Sequence, residues 1–205
     1  MPDTLKEVIA EFLDTVQAIN GTYYDAMRGF SLCEQELTKA QKENLEHIRA
    51  EHPEHASVEF LDTQDFMYAD GWPEDPAFRP LHMTKMGHYK ARNAPDGENC
   101  RLMANMCLVA IYQWWDERFR PKIAEYMSRG HTDIVSPVMG DLRLIRHSII
   151  HGKGRAKPNI KNCQVLKWFS EGEEIIITQA LFRDMIIHIY QAMDFLYNDL
   201  MTIKA

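Results

Sequence analysis

The sequence lacks the features that mark membrane, secreted and disulfide-stapled proteins. No apolar run approaches the roughly 18 residues that a membrane-spanning helix needs. The N-terminus, MPDTLKEVIAEF, has neither the basic region nor the long apolar stretch of a signal peptide. The four cysteines form no C-x-x-C pair, and a chain of 205 residues can bury enough apolar surface without disulfides. We therefore expect a cytoplasmic protein with reduced thiols and no membrane contact.

Common cofactor and metal motifs are also missing. The chain contains no Walker loop, no GxGxxG fingerprint and no GxSxG element. The spacing of His47, His52 and His55 straddles a proline, and no cysteine completes a ligand set. The pair His147 and His151 has chelating i, i+4 spacing but lacks the glutamate of an HExxH motif. We expect no metal ion and no cofactor.

Basic charge is scarce except in one segment. The formal net charge of the chain is −7, which argues against a protein that coats nucleic acid without specificity. Residues 141–167 nevertheless carry seven Lys or Arg against a single acid, Asp141, so this segment is +6 and the remainder is −13. A basic patch on an acidic body fits a defined site for a polyanion, and a solvated basic loop is the alternative.

Helical periodicity dominates the rest of the chain. The stop signal Asn20-Gly21 predicts that a first helix ends there, and Pro121 predicts that the later helix ends or kinks near residue 120. Ser136 and Pro137 supply an N-cap and a first-turn proline, and Gly152 supplies a stop. The predicted helices cover about 4–20, 31–50, 100–120, 137–151 and 178–203.

Two segments interrupt this pattern. Residues 52–98 contain five prolines and little periodicity, which predicts an irregular insertion with one short helix near 58–68. The stretches CQVLKWF and EEIIIT flank Ser-Glu-Gly and predict a small β-hairpin before the last helix. The expected fold is mainly all-α: a single domain over 1–205, built as an antiparallel bundle of four to five helices with that hairpin.

The helix predicted at 137–151 combines a core face with a polar edge. Leu142, Ile145 and Ile149 have the i, i+3, i+7 spacing of a buried stripe. Arg143, His147 and His151 follow one another at i, i+4 and i+8 along the other side. His151 is the last helical residue, which leaves its imidazole at the point where the chain turns away.

The sequence Arg146-His-Ser-Ile-Ile-His151 resembles the R-x4–6-H signature of HEPN domains, including a polar residue directly after the arginine. Its surroundings are similar as well, since GDLRLIRHSIIHGKG closes a helix and IYQWWDERFRP lies on the helix before it. The resemblance implies a helical bundle that dimerises and brings two motifs together. Many HEPN domains are metal-independent endoribonucleases, often toxins or defence effectors.

The resemblance also implies roles for individual side chains. Arg146 would bind and neutralise the scissile phosphate, and His151 would assist attack by the neighbouring ribose 2′-hydroxyl. His147 would support the site, and RNA would be the substrate. The basic residues expected to contact the RNA backbone are Arg143, Lys153, Arg155 and Lys157.

Two other matches to the same short pattern occur in the chain. The match from Arg49 to His55 contains Pro53, which breaks any helix that holds both groups. The match from Arg183 to His188 lies early in the last helix, where no chain turn opens space for a substrate. The position of the helix end therefore favours the 146–151 copy.

Alternatives to the enzyme remain at this stage. A non-catalytic HEPN dimer would bind RNA, a nucleotide or a protein partner, with Arg146 and His151 as a structural pair. A toxin would have an antitoxin as its main partner, docked on the acidic body or on the 52–98 insertion. Trp114 and Trp115 are expected to pack in the core or at the dimer interface, with Asp116 and Glu117 near the histidines.

Overall fold

A computed structural model describes residues 4–204. The chain is mainly α-helical with one small antiparallel hairpin, which confirms the expected fold class. The helices are α1 (Leu5–Glu51), α2 (Val58–Asp62), α3 (Met86–Asn93), α4 (Glu98–Trp114), α5 (Arg120–Tyr126), α6 (Pro137–His151) and α7 (Gln179–Lys204). The strands are β1 (Asp65–Asp70) and β2 (Arg79–Lys85). No helix in the described part of the chain is long and apolar enough to cross a membrane.

The chain forms two compact units. The first unit combines the segment up to residue 24 with the segment from residue 101 onwards, and the second unit consists of residues 25–100. The helix α1 includes residues of both units, although Asn20-Gly21 predicted a stop. A Cβ placed on Gly21 would meet nothing within 4 Å, so the backbone there stays in ordinary helical geometry. A glycine inside a helix costs roughly 1 kcal/mol relative to alanine, which strong helix formers on both sides can offset.

The hairpin lies in the second unit and not before the last helix. Strands β1 and β2 pair from Asp65 opposite Lys85 to Asp70 opposite Arg79, with an irregularity after Tyr68. Segment 52–98, expected to be irregular, therefore contains these strands and two α-helices. Its prolines were misleading because Pro73 and Pro76 lie in the connecting loop and Pro80 lies at the irregular step of an edge strand.

Residues 163–178 form no regular strand pair. The one bridge in this region joins Arg155 to Glu174. The backbone amides of residues 164–166 instead donate to the carboxylate of Asp141, at 2.7–2.8 Å. A segment whose amides are taken by a buried side chain has no donors left for a partner strand, which explains why the apolar pattern does not become a hairpin.

The second unit is held by a polar contact among three elements. The Lys90 ammonium lies 2.6 Å from the Asp62 carboxylate, and both groups bond to the buried Gln41 amide. The hydrogen bonds from Lys90 and Gln41 outweigh partial burial and lower the pKa of Asp62. This network joins α1, α2 and α3.

The core of the first unit is aromatic where α1 meets the end of α4. Phe12 packs against Trp115 and Phe119, with ring centroids 5.4 and 5.2 Å apart. Between α4 and α5, residues 115–119 form a π-helical turn in which the Arg120 amide donates to the carbonyl of Trp115. Pro121 follows directly, and the wider turn lets the chain continue where a proline would break a regular helix. The break predicted near residue 120 is thus a local widening.

Helix α6 begins and ends where the sequence predicted. Ser136 is the extended residue before it, Pro137 is its first residue and Gly152 follows its last. Leu142 and Ile145 are fully buried, which confirms most of the predicted core stripe. Ile149 is only half-buried, because Ser148 occupies the buried position on that turn.

Candidate functional site

The C-terminal end of α6 is shaped by a close backbone turn. The Gly152 amide donates to the Ser148 carbonyl, and a Cβ on Gly152 would overlap the backbone oxygens of Ser148 and Arg155. Lys153 and Gly154 then both adopt positive φ, at 52° and 76°. The chain therefore reverses direction directly after His151, which is the last residue of α6 and is exposed.

Ser148 fastens the reversed chain to the helix. Its hydroxyl donates to the Leu144 carbonyl and accepts from the Lys157 backbone amide, at 3.0 and 3.1 Å. Further along, the three amides bound to Asp141 hold residues 164–166 against the same helix. Sequence reasoning assigned no role to either residue, although an acid on an otherwise apolar face was a visible signal for Asp141.

Arg146 is anchored on helix α4. Its Nη2 donates to the Gln113 side-chain carbonyl at 3.2 Å, and its guanidinium carbon lies 5.6 Å from the centre of the Tyr112 ring. The Gln113 amide in turn donates to the Glu117 carboxylate. The Nε of Arg146 is buried and has no partner among residues 4–204. The guanidinium therefore has a fixed position and at least one unused donor.

The histidines form a separate cluster with Lys157. The rings of His147 and His151 are 4.9 Å apart, and the Lys157 ammonium lies 3.5 Å from Nε2 of His147. Partial desolvation and the nearby positive charges, Lys157 first among them, lower the pKa of His147. The shift favours the neutral form of His147, which can accept a proton or a hydrogen bond.

The two halves of the R-x4–6-H motif point in different directions. Five residues advance a helix by one full turn and roughly 140° more, so Arg146 and His151 lie at opposite edges of the exposed face of α6. Within the described residues, no hydrogen bond, ion pair or ring contact joins them. Within a single chain, the arginine and the histidine are therefore on the same helix but do not point at a common site.

The four candidate RNA contacts fall into different settings. Arg143 and Lys153 are exposed, and Arg143 has no hydrogen bond or ion pair in the described part of the chain. Arg155 is exposed as well but donates to the Gly172 carbonyl at 3.2 Å. Lys157 is half-buried beside His147, so it acts on the histidine cluster directly.

The two other copies of the pattern lack this arrangement. His188 lies 3.5 Å from Asp184 on its own helix, and Arg183 is exposed in the second turn of α7, where the chain continues as helix past His188. His55 stacks on Phe60 with ring centroids 4.2 Å apart, and it follows Pro53, outside α1. Neither copy places a histidine next to a second imidazole and an ammonium.

The residues around the tryptophan pair have distinct positions. Trp115 is buried in the core, whereas Trp114 is exposed under the Arg118 guanidinium. Asp116 pairs with Arg120, and Glu117 reaches Arg146 through Gln113. The acids expected near the histidines are thus connected to arginines instead.

Among the residues that the structure describes, no group of three or more His, Cys, Asp or Glu side chains is placed to hold a metal ion. The cysteines in this part of the chain are free, and burial raises the pKa of Cys107 and Cys163 to about 11.

Comparison with protein-family models, with curated proteins and with solved structures found no match.

Proposed function

We propose that this protein is a HEPN-type endoribonuclease that cleaves RNA without a metal ion, at a site formed between two copies of the chain. One observation supports this most: Arg146 is held on Gln113 with its side chain partly exposed, and His151 is exposed five residues further, at the helix end. A phosphate needs a positioned guanidinium, and proton transfer needs an accessible imidazole.

The proposed reaction is an internal transesterification. His151 takes the proton from a ribose 2′-hydroxyl, whose oxygen then forms a bond to the adjacent phosphorus. The bond from phosphorus to the 5′ oxygen breaks, and water at this exposed position supplies the proton for that oxygen. Arg146 stabilises the charge that develops on the phosphoryl oxygens. The products are a 2′,3′-cyclic phosphate and a 5′-hydroxyl.

Exposed apolar side chains on α4 and α6 support the dimer. Leu102 and Met106 on α4 are each 58% exposed, and Gln113 lies on the same face at i+11 from Leu102. On α6, Ile150 is exposed between the edges that carry Arg146 and His151. Burial of these side chains against a second copy would bring an arginine and a histidine from different chains together.

The test is cleavage of single-stranded RNA in the presence of EDTA by the wild type, Arg146→Ala and His151→Ala. The matched control is Arg183→Ala, which removes an exposed arginine from the competing copy of the pattern. We expect both motif variants to lose activity and the control to keep it. Cleavage that disappears with EDTA contradicts the metal-free reaction. RNA binding without cleavage by the wild type would indicate the non-catalytic HEPN dimer instead.

A further inference from the structure

A cavity of about 230 Å³ opens beside the first turns of α6, apart from the histidine cluster. Its polar lining comes from Tyr112, Arg120, Ser136 and Arg143, and its floor includes Met139 and Gly140 of the helix. None of the described residues that line it is acidic. The cavity therefore presents two guanidinium groups, a hydroxyl and a phenol with no carboxylate in its wall.

The start of α6 leaves donors unused at this cavity. Ser136 occupies the N-cap position, but its side chain makes no capping hydrogen bond, and Pro137 has no amide hydrogen. The amides of Val138 and Met139 consequently have no acceptor within the helix. A helix N-terminus with free amides and a partial positive charge favours an anion.

Ser136 gives an independent sign that the cavity lacks an occupant. The residue is only 8% exposed, and its hydroxyl is buried without a hydrogen-bond partner in the described residues. A buried hydroxyl without a partner has lost its hydrogen bonds to water and gained none in return, which is unfavourable. Ser136 is one of the residues that line the cavity.

The two arginines differ in how they are held. Arg120 is fixed by the Ile134 carbonyl at 3.0 Å and by Asp116 and the Thr132 carbonyl, each at 3.4 Å. Arg143 has no such partner and is exposed at the cavity mouth. Partial burial and Asp116, whose carboxylate bonds to the phenol, raise the pKa of Tyr112, so Tyr112 and Arg120 are both engaged by that acid and Arg143 is not.

We propose that this cavity is a binding site for a phosphate group, with Arg143, Ser136 and the Met139 amide as its donors. The site goes beyond the proposed cleavage reaction, which uses Arg146 and His151. The phosphate belongs either to an RNA strand bound along α6 or to a free nucleoside monophosphate. The RNA phosphodiester is a monoanion and the monophosphate is mostly a dianion at neutral pH, and both present anionic phosphoryl oxygens to these donors.

The test measures binding of inorganic phosphate and of adenosine 5′-monophosphate to the full chain by calorimetry. Each lost charge-assisted hydrogen bond corresponds to roughly ten- to hundredfold in affinity. We expect Arg143→Ala to weaken binding at least tenfold, Ser136→Ala to weaken it less, and the control Arg183→Ala to leave it unchanged. Equal affinity of the wild type and Arg143→Ala, or no binding by the wild type, would overturn the proposal.

Two further arms identify the source of the phosphate and separate this site from catalysis. If the RNA strand supplies the phosphate, Arg143→Ala raises the Kd for RNA, and inorganic phosphate competes with RNA. If a free nucleotide does, Arg143→Ala loses nucleotide binding and keeps its RNA affinity. His151→Ala should bind phosphate as the wild type does. If the wild type binds phosphate in this way but has no RNase activity, the result contradicts the proposed function and supports this binding site. Unfolding temperatures confirm that each variant is folded.

Discussion

The Nη2 of Arg146 donates to the Oε1 of Gln113 across the contact between α6 and α4, at 3.2 Å. Gln113 itself is held by Glu117 in the next turn. The guanidinium of the motif is therefore oriented by a helix that the motif does not include. This makes Gln113 a positioning residue for any phosphate that Arg146 binds.

We predict that Gln113→Ala lowers kcat for RNA cleavage by about tenfold, since a hydrogen bond to a charged group contributes roughly 1.5–3 kcal/mol. KM should change less, because other basic residues keep contacting the strand. Steady-state kinetics check this, with Gln191→Ala on α7 as the control. Partial recovery in Gln113→Asn would mark positioning, and unchanged kinetics in Gln113→Ala would show that Arg146 needs no such support.

A second prediction concerns the buried carboxylate of Asp141. Asp141→Ala leaves three backbone amides without their acceptor, which we expect to destabilise the fold by about 3 kcal/mol. In a chain of this size, that corresponds to a drop in Tm of about 6–12 °C. Thermal unfolding measures it. Asp184→Ala removes only a partly exposed pair with His188 and should cost less than about 1 kcal/mol.

Two glycines should respond to alanine with opposite signs. Gly152→Ala places a Cβ against the backbone oxygens of Ser148 and Arg155, and we expect a loss of about 1–3 kcal/mol. Gly21→Ala meets open space inside α1 and should stabilise the protein by up to about 1 kcal/mol. Chemical denaturation of both variants tests the pair. A stabilising Gly152→Ala would mean that the turn after α6 is looser than described.

The fourth prediction follows from the charge next to His147. The positive charge of Lys157 disfavours the imidazolium form, so its removal in Lys157→Ala should raise the pKa of His147 towards its ordinary value. NMR titration of the imidazole signals measures the shift. Lys161→Ala, an exposed lysine beyond the turn, should leave it unchanged. A pKa that stays the same or falls in Lys157→Ala would contradict the assigned contact.

The bounds of α6 could be predicted because its signals are local. Ser136, Pro137 and Gly152 each act within one turn, and the structure begins and ends the helix at those positions. The candidate histidine and its exposure at the helix end follow from the same signals.

Other features depend on contacts distant in sequence, and local patterns could not reveal them. The hairpin expected at 163–178 fails because Asp141, more than twenty residues earlier, takes its backbone donors. The partner of Arg146 lies 33 residues away on α4, so its identity depends on how two helices align. The continuity of α1 through Gly21 is a balance of small energies that a stop signal alone does not decide.

The most direct test of the central claim compares the wild type with His151→Ala on RNA in EDTA and identifies the product ends by mass spectrometry. Proton transfer by a positioned side chain contributes about 100- to 10,000-fold, so we expect a loss of at least 100-fold in the variant. The wild-type products should end in a 2′,3′-cyclic phosphate and begin with a 5′-hydroxyl. Equal cleavage by His151→Ala, or products that carry a 3′-hydroxyl and a 5′-phosphate, would contradict the account.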